Sequence, residues 1–208
     1  MTDRASAPTS RDKILDAAYT VMSEQGLIAA TTKKIATKAG YSEATIYKLF
    51  ADKVDLFLAV LDERLPVLDV DSSTDVDSSP QQVTSADVES RLAELCGRLT
   101  DFYSRSFPIA AALFADPALL AHHRRALEAR DRGPRRVLEF VRSTIEKEQT
   151  AGHIAADVHV GAVTEMMVGA CFQHAFFEVF HGSDESPTER AAFAKGLAAA
   201  TLRALRSA

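Results

Sequence analysis

Five lysines fall within residues 31–53, at Lys33, Lys34, Lys38, Lys48 and Lys53, against only two acids, Glu43 and Asp52. Tyr47 stands among them. Ammonium groups interleaved with an aromatic hydroxyl suit a polyanion, and phosphate oxygens above all. Other reactive side chains make a weaker case. His174, Glu178 and His181 fall at i, i+4 and i+7, on one helical face and at a spacing that suits a metal ion. The chain nevertheless has no HExxH and no CxxC pattern, and such a trio is more often ordinary polar surface or core, so neither metal nor cofactor is expected. A nucleophile elbow, a phosphate loop and a dinucleotide fingerprint are all missing, which argues against an enzyme. A second cationic run, His122-His123-Arg124-Arg125 with Arg130, Arg132, Arg135 and Arg136, reads as a solvated face in preference to a second nucleic-acid site.

These groups must be positioned by a chain of 208 residues, enough for one large or two small domains with a real core. It is 47% hydrophobic and 25% charged, the balance of a soluble globular protein, and it shows little period-two alternation, so helices are expected. The net charge of −5 is spread unevenly. Residues 1–65 carry 9 basic and 9 acidic side chains, whereas residues 66–90 carry six acids and no base. The two cysteines, Cys96 and Cys171, sit far apart in no paired motif, which is no disulfide framework and fits a reducing cytosol. A signal pattern is missing from the first residues, and the most apolar stretch, 158–180, is interrupted by Glu165, Gln173, His174 and Glu178. A cytoplasmic protein without a membrane partner is expected.

Residues 1–9 read as a frayed arm. A first helix is predicted from about Arg11 to Gln25, closing at Gly26, with Ile14, Ala18, Val21 and Met22 on one face. Thr31 or Thr32 caps a short second helix that ends at Gly40, with Ile35, Ala36 and Ala39 inward. Ser42 caps a third, Glu43 to Phe50, with Tyr41 and Ile46 placed as a hydrophobic staple. Asp52 and Asp55 open a fourth helix whose expected apolar stripe is Val54, Phe57, Leu58, Leu61 and Leu65. The predicted organisation is a short-helix domain over 1–52, connecting helix 53–66, a flexible acidic linker 67–85 and a helical domain 86–208. In that last domain, helices are predicted near 86–106, 109–115, 117–131, 134–151, 158–181 and 187–206, with breaks at the prolines and glycines between them.

A short helix, a glycine-containing turn and a second short helix make the helix-turn-helix layout, whose second helix enters the DNA major groove with its first residues toward the base edges. Here those residues are Ser42, Glu43, Ala44 and Thr45. By pattern alone an ordinary helical hairpin with a solvated lysine face fits equally well. The run TTKKIATKAGYSEATIYKLFADKVDLF, preceded by ILDAAYTVMSEQG, resembles the N-terminal signature of the TetR (tetracycline-repressor-like) family over about residues 11–60. The resemblance implies an all-α fold, with a three-helix DNA reader followed by a helical ligand-binding and dimerisation domain. It implies phosphate or base contacts from Thr32 and Lys33, base reading by Glu43, Ala44 and Thr45, backbone contacts from Tyr47 and Lys48, and a phosphate anchor at Lys53. Glu43 is an acid aimed at a polyanion, so it either accepts from a cytosine amine or serves the helix dipole alone. Where the family often has His before Phe at the end of the third helix, this chain has Leu49.

The same resemblance implies a repressor that binds a palindromic operator as a homodimer through its last two helices and is released by a small molecule. The stretch from Val158 to His181 is apolar nearly all round, as for a helix buried on both sides. Phe102, Tyr103, Phe107, Phe114, Phe140, Met167, Cys171, Phe172 and His174 are available to line a pocket for an apolar or amphipathic effector, or to serve as plain core. Any ligand signal is expected to cross by packed contacts between the fourth helix and residues near 102–118, since an acidic, Ser-rich linker offers no element with two discrete arrangements.

Overall fold

The computed structural model describes residues 8–65, 84–182 and 185–204. Most of the expected linker 67–85, most of the arm 1–9 and the end of the last predicted helix lie outside the described residues. Among those residues there are nine helices and no strand: α1 (Ser10–Ala29), α2 (Thr32–Ala39), α3 (Glu43–Leu49), α4 (Lys53–Glu63), α5 (Ser85–Phe114), α6 (Pro117–Ala129), α7 (Pro134–Thr150), α8 (Val160–His181) and α9 (Pro187–Ala204). The fold is all-α. No helix among the described residues is long and apolar enough to cross a membrane.

The chain forms two compact units, one of residues 1–66 with 108–127, the other of 67–107 with 128–208. The first is built on local signals that satisfy helix ends. Thr9 and Asp12 close a capping box on α1, and the side chains of Thr31, Ser42 and Asp52 accept from the backbone N–H groups of Lys34, Thr45 and Asp55. The Asp55 carboxylate in turn accepts from Ala51 N–H at 2.9 Å, one residue before the cap. Gly26 leaves the helical conformation as expected (φ 76°, ψ 163°), yet one further turn follows and the helix ends at Ala29. Ile14, Ala18, Val21 and Met22 of α1 meet Ile35, Ala36, Ile46, Phe50 and the α4 side chains in one core.

The buried face of α4 is Leu56, Phe57, Val60 and Leu61, while Val54 is 49% exposed. Of the expected stripe, Phe57 and Leu61 are buried and Leu58 and Leu65 pack against the core, while Val54 falls outside it and Leu56 and Val60 are added. Residues 56–61 are apolar on both flanks of the Phe57–Leu61 row, so periodicity cannot choose between them, and packing against α1 decides. Ile109, Leu113 and Leu119 complete this core. Arg11 holds Glu63 through two bonds of 2.5 and 2.7 Å, and Arg64 reaches Asp12 at 2.9 Å and Asp16 at 2.7 Å, so α1 is tied to the far end of α4.

The two helices expected near 86–106 and 109–115 are one helix, α5, with Pro108 inside it. Proline removes one backbone donor and usually ends or kinks a helix. Here the helix continues, and it is the division into compact units that falls at Pro108. In the second unit Val88, Leu92, Cys96 and Leu99 of α5 pack with Val137, Val141 and Ile145 of α7, Met167, Val168 and Cys171 of α8, and Ala194, Ala198 and Leu202 of α9. Glu148 is buried there and satisfied by Arg91 Nε at 2.8 Å, Arg91 Nη2 at 3.0 Å and His153 Nδ1 at 2.7 Å. α8 buries Thr164, Met167, Val168, Cys171 and Ala175, but its other side is open, with Met166 at 72% and Phe180 at 70% exposure. Burial on both sides, as read from the sequence, is thus absent within a single chain among the described residues.

The N-terminal ties give a pH dependence. Hydrogen bonds from Thr9, then from Arg64, hold the Asp12 carboxyl down from its ordinary 3.8 to about 2. A carboxyl whose folded pKa is depressed contributes stability above its unfolded value and loses it as pH falls through the folded value. Circular dichroism followed from about pH 5 to about pH 2 should show part of the acid loss of stability vanish in Asp12→Asn. Equal slopes for both proteins would mean that Asp12 is not held in the folded state.

Candidate nucleic-acid interface and sensor core

The helix-turn-helix is set by α2, Gly40 and α3. Gly40 lies in the left-handed region (φ 75°, ψ 26°). Its N–H donates to Thr37 O at 3.3 Å and the Tyr41 N–H to Ala36 O at 3.0 Å, the two bonds of a Schellman motif. Ile46 is fully buried and Phe50 nearly so, and this pins the inner side of α3. The outer side carries Ser42, Glu43, Ala44, Tyr47, Lys48 and Leu49, all exposed, with Tyr47 at 52%, and Thr45 is half-buried. Ser42 Oγ lies 2.9 Å from Thr45 Oγ1 as well as capping its N–H, so both hydroxyls are partly engaged at the helix tip.

The five lysines do not act as one patch. Lys34 Nζ donates to Gln25 Oε1 at 2.7 Å and Ala29 O at 3.0 Å, and Lys38 Nζ lies 3.4 Å from both carboxylate oxygens of Glu24. Lys53 Nζ donates to Leu27 O at 2.6 Å and is half-buried, and burial lowers its pKa. In the free chain Lys53 therefore closes the end of α1. Lys33 and Lys48 are exposed and have no ion-pair partner among the described residues.

Thr32 is buried, and its hydroxyl bonds the Glu43 carboxylate and lies 3.4 Å from the Tyr47 hydroxyl. Three residues expected to meet DNA separately thus form one bridge from the start of α2 to α3. The sequence gives no sign of this, because Thr32 and Glu43 are 11 positions apart and no local spacing rule joins them. The carboxylate also sits in the first turn of α3, where the helix dipole favours a negative charge.

In the second unit several of the expected sensor residues come together. Rings of Phe102 and Tyr103 lie 5.1 Å apart, Tyr103 and Phe172 5.3 Å, and Phe107 and Phe172 5.5 Å, and Phe107 continues the chain to Phe176 at 5.5 Å. Met167 and Cys171 are buried beside them in the same core. Burial pushes the Tyr103 phenol up to about 12, so it stays protonated at ordinary pH. Phe140 packs partly buried on this core with the Arg98 guanidinium 5.9 Å from its ring. Two residues stand apart. Phe114 belongs to the first unit and is 78% exposed. His174 stacks on Phe193 at 3.8 Å and meets Glu185 at 2.8 Å.

The suggested metal-ligand trio is likewise divided among partners. Glu178 takes Arg190 at 2.5 Å and Ser104 at 2.5 Å, and His181 Nδ1 faces Phe177 O at 2.9 Å. Among the described residues no three His, Cys, Asp or Glu side chains gather to hold a metal ion. Arg124, Arg125, Arg130, Arg132 and Arg135 are all exposed, and Arg136 pairs with Glu139 at 2.9 Å.

Residues 14–60 match the family described as "Bacterial regulatory proteins, tetR family". The chain is 47% identical over 64 residues to the "Uncharacterized HTH-type transcriptional regulator YdeS" of Bacillus subtilis (strain 168), covering 29% of this chain and 32% of that one, so it spans about a third of this relative's length. It is 25% identical over 166 residues to the HTH-type transcriptional repressor NicS of Pseudomonas putida, covering 80% and 76% of the two chains. The fold is shared with the transcriptional regulator FadR of Bacillus subtilis, solved in complex with stearoyl-CoA, at a TM-score of 0.61 and 17% identity over 91% of this chain and 96% of that one. These similar proteins are all named as transcriptional regulators.

The turn that sets α3 can be tested alone. A Cβ at Gly40 would meet nothing within 4 Å, so substitution there strains only the backbone. Gly40→Ala should cost about 1–2 kcal/mol in urea unfolding, and Gly40→Asn clearly less. Equal stability of the alanine variant and the parent would mean that this turn is not the constraint it is taken to be.

Proposed function

We propose that this chain, which belongs to the tetR family of bacterial regulatory proteins, is a ligand-responsive repressor that binds a palindromic DNA operator as a homodimer. The observation that carries the reading is the division of α3: Ile46 is fully buried, while Ser42, Glu43, Ala44, Tyr47 and Lys48 face outward from the helix tip. In this reading the N-terminal turn of α3 enters the major groove, with Ser42, Ala44 and Thr45 toward the bases. Lys33, Lys48 and the Tyr47 hydroxyl meet phosphates on either side. Glu43 is held by Thr32 and serves first to orient the tip, so the dipole role is favoured over direct reading of cytosine. Lys53, at the first turn of α4, reaches a phosphate only by exchanging the Leu27 carbonyl for it, a trade that the dipole of α4 assists.

Two half-site readers act together at a spacing of about one helical turn. The open side of α8 sets Met166, Phe177 and Phe180 in water, large apolar side chains of the kind that mark an interaction surface. On α9, Ala192, Gly196 and Ala200 are exposed and small enough for close helix approach. A second copy seated on α8 and α9 covers both, in an isologous four-helix contact. The effector is an apolar or amphipathic small molecule taken up along the aromatic chain of Phe102, Tyr103, Phe107 and Phe172. The structurally similar FadR holds stearoyl-CoA, a molecule of that amphipathic class. Its signal reaches the DNA reader through α4, which shares one core with Ile109, Leu113 and Leu119.

An operator selected from random duplexes with the full chain tests this reading. Titration should saturate at two chains per site. Binding should weaken with salt, and the slope should flatten by about one for Lys48→Ala and for Lys33→Ala. Lys38→Ala removes an ammonium already turned to Glu24 and should leave the slope unchanged. If the selection enriches no sequence, or if Lys38→Ala changes the slope as much as Lys48→Ala does, the assigned face is wrong.

A further inference from the structure

Cys96 and Cys171 are 75 positions apart in sequence and meet inside the second unit, one on α5 and the other on α8. Both are fully buried and both are free thiols. Cys171 Sγ donates to the Cys96 carbonyl at 3.6 Å, so the Cys171 sulfur lies directly against the other cysteine. Thr100 Oγ1 donates to the same carbonyl at 2.9 Å. The surroundings treat the two sulfurs differently. Hydrogen bonding to Cys171 and burial push the Cys96 thiol far up, so it keeps its proton. Hydrogen bonds from Cys96, then from Thr100, draw the Cys171 thiol below its ordinary value. A thiolate is the reactive form of cysteine, and of the two sulfurs Cys171 is the one drawn toward it.

We propose that Cys96 and Cys171 are a redox pair that closes to an intrachain disulfide on reaction with a hydroperoxide, tying α5 to α8. The Cys171 thiolate attacks the terminal peroxide oxygen; an S–O bond forms, the O–O bond breaks, and the departing alkoxide or hydroxide takes a proton. The Cys96 sulfur then attacks the Cys171 sulfenic sulfur, the S–S bond forms, the S–O bond breaks and water leaves with the Cys96 proton. Two thiols and one hydroperoxide become one disulfide, one alcohol or water, and one further water; the sulfurs lose two electrons and the peroxide gains them. Because both sulfurs are buried, the oxidant is small or the helices open briefly to admit it. Closing the bond draws the Cys171 sulfur from its contact with the Cys96 carbonyl to covalent distance from the Cys96 sulfur, which shifts α5 against α8 in a close-packed core. The next residue, Phe172, belongs to the aromatic chain with Tyr103 and Phe107, so the shift is felt there. The pair stands on its own geometry, whatever the chain binds.

The test uses the reduced full-length chain, graded hydrogen peroxide, and intact mass with peptide mapping. The expected result is the joint disappearance of both thiols with the loss of two hydrogens, one linked peptide joining Cys96 to Cys171, and full reversal by dithiothreitol. In Cys96→Ser, and equally in Cys96→Ala, Cys171 should continue to sulfinic acid, whereas in Cys171→Ser the Cys96 thiol should survive the same dose. Met166, an exposed thioether, is the internal reference. Conversion of Met166 to its sulfoxide while both thiols of the parent remain titratable overturns the proposal. So does independent oxidation of the two cysteines in the parent, or a disulfide that joins two chains.

Discussion

A helix of seven residues is too short to be stable by itself, because nucleation consumes most of what so few hydrogen bonds return. α3 is such a helix. It persists because Ile46 and Phe50 enter the core made by α1, α2, α4 and residues near 109–120. Caps at Ser42 before it and Asp52 after it satisfy the neighbouring helix ends. Gly40 sets the direction in which α3 leaves α2. The exposed groups on the outer face of α3 are held in place by that anchoring.

The polar contacts around α3 are economical in a physical sense. Thr32, Glu43 and Tyr47 satisfy one another at the α2–α3 junction, which leaves Lys33 and Lys48 as the outward cations. Lys53 uses the carbonyl of Leu27, Lys34 that of Ala29, and both stabilise the end of α1. The charge available to a polyanion is therefore smaller and more directed than a count of lysines suggests. In the second unit the same division recurs on α8, where one face is packed on Cys96 and its neighbours and the other offers large apolar side chains to water. A surface of that kind is the strongest physical argument for a partner helix pair.

Much of the first unit was legible because its signals are local. Thr31, Ser42, Asp52 and Gly40 act within four residues of themselves, and a capping rule finds them without knowledge of the fold. The resemblance over residues 11–60 added the layout of the reader. Features that depend on distant partners were hidden. The Thr32–Glu43 bridge, the Lys53–Leu27 bond and the meeting of Cys96 with Cys171 each require the helices to be placed first. On α4 the exposed Val54 and the buried Leu56 and Val60 were not separable by periodicity, because the sequence is apolar on both flanks of Phe57 and Leu61. Pro108 was read as a helix break, whereas α5 runs through it and changes compact unit there. Phe114 looked like a pocket residue by type alone, and its exposure in the first unit sets it apart from the rings of Phe102, Tyr103 and Phe107.

The central claim is that the tip of α3, held from behind by Ile46, is the surface that reads DNA. Amide hydrogen exchange of the full chain, free and bound to its selected operator, addresses it most directly. Protection should rise at residues 32–34, 42–48 and 52–54, with the buried amides around Ile46 already slow in the free chain. Unchanged exchange over 42–48, with new protection instead along the arginine-rich stretch 122–136, would contradict the account.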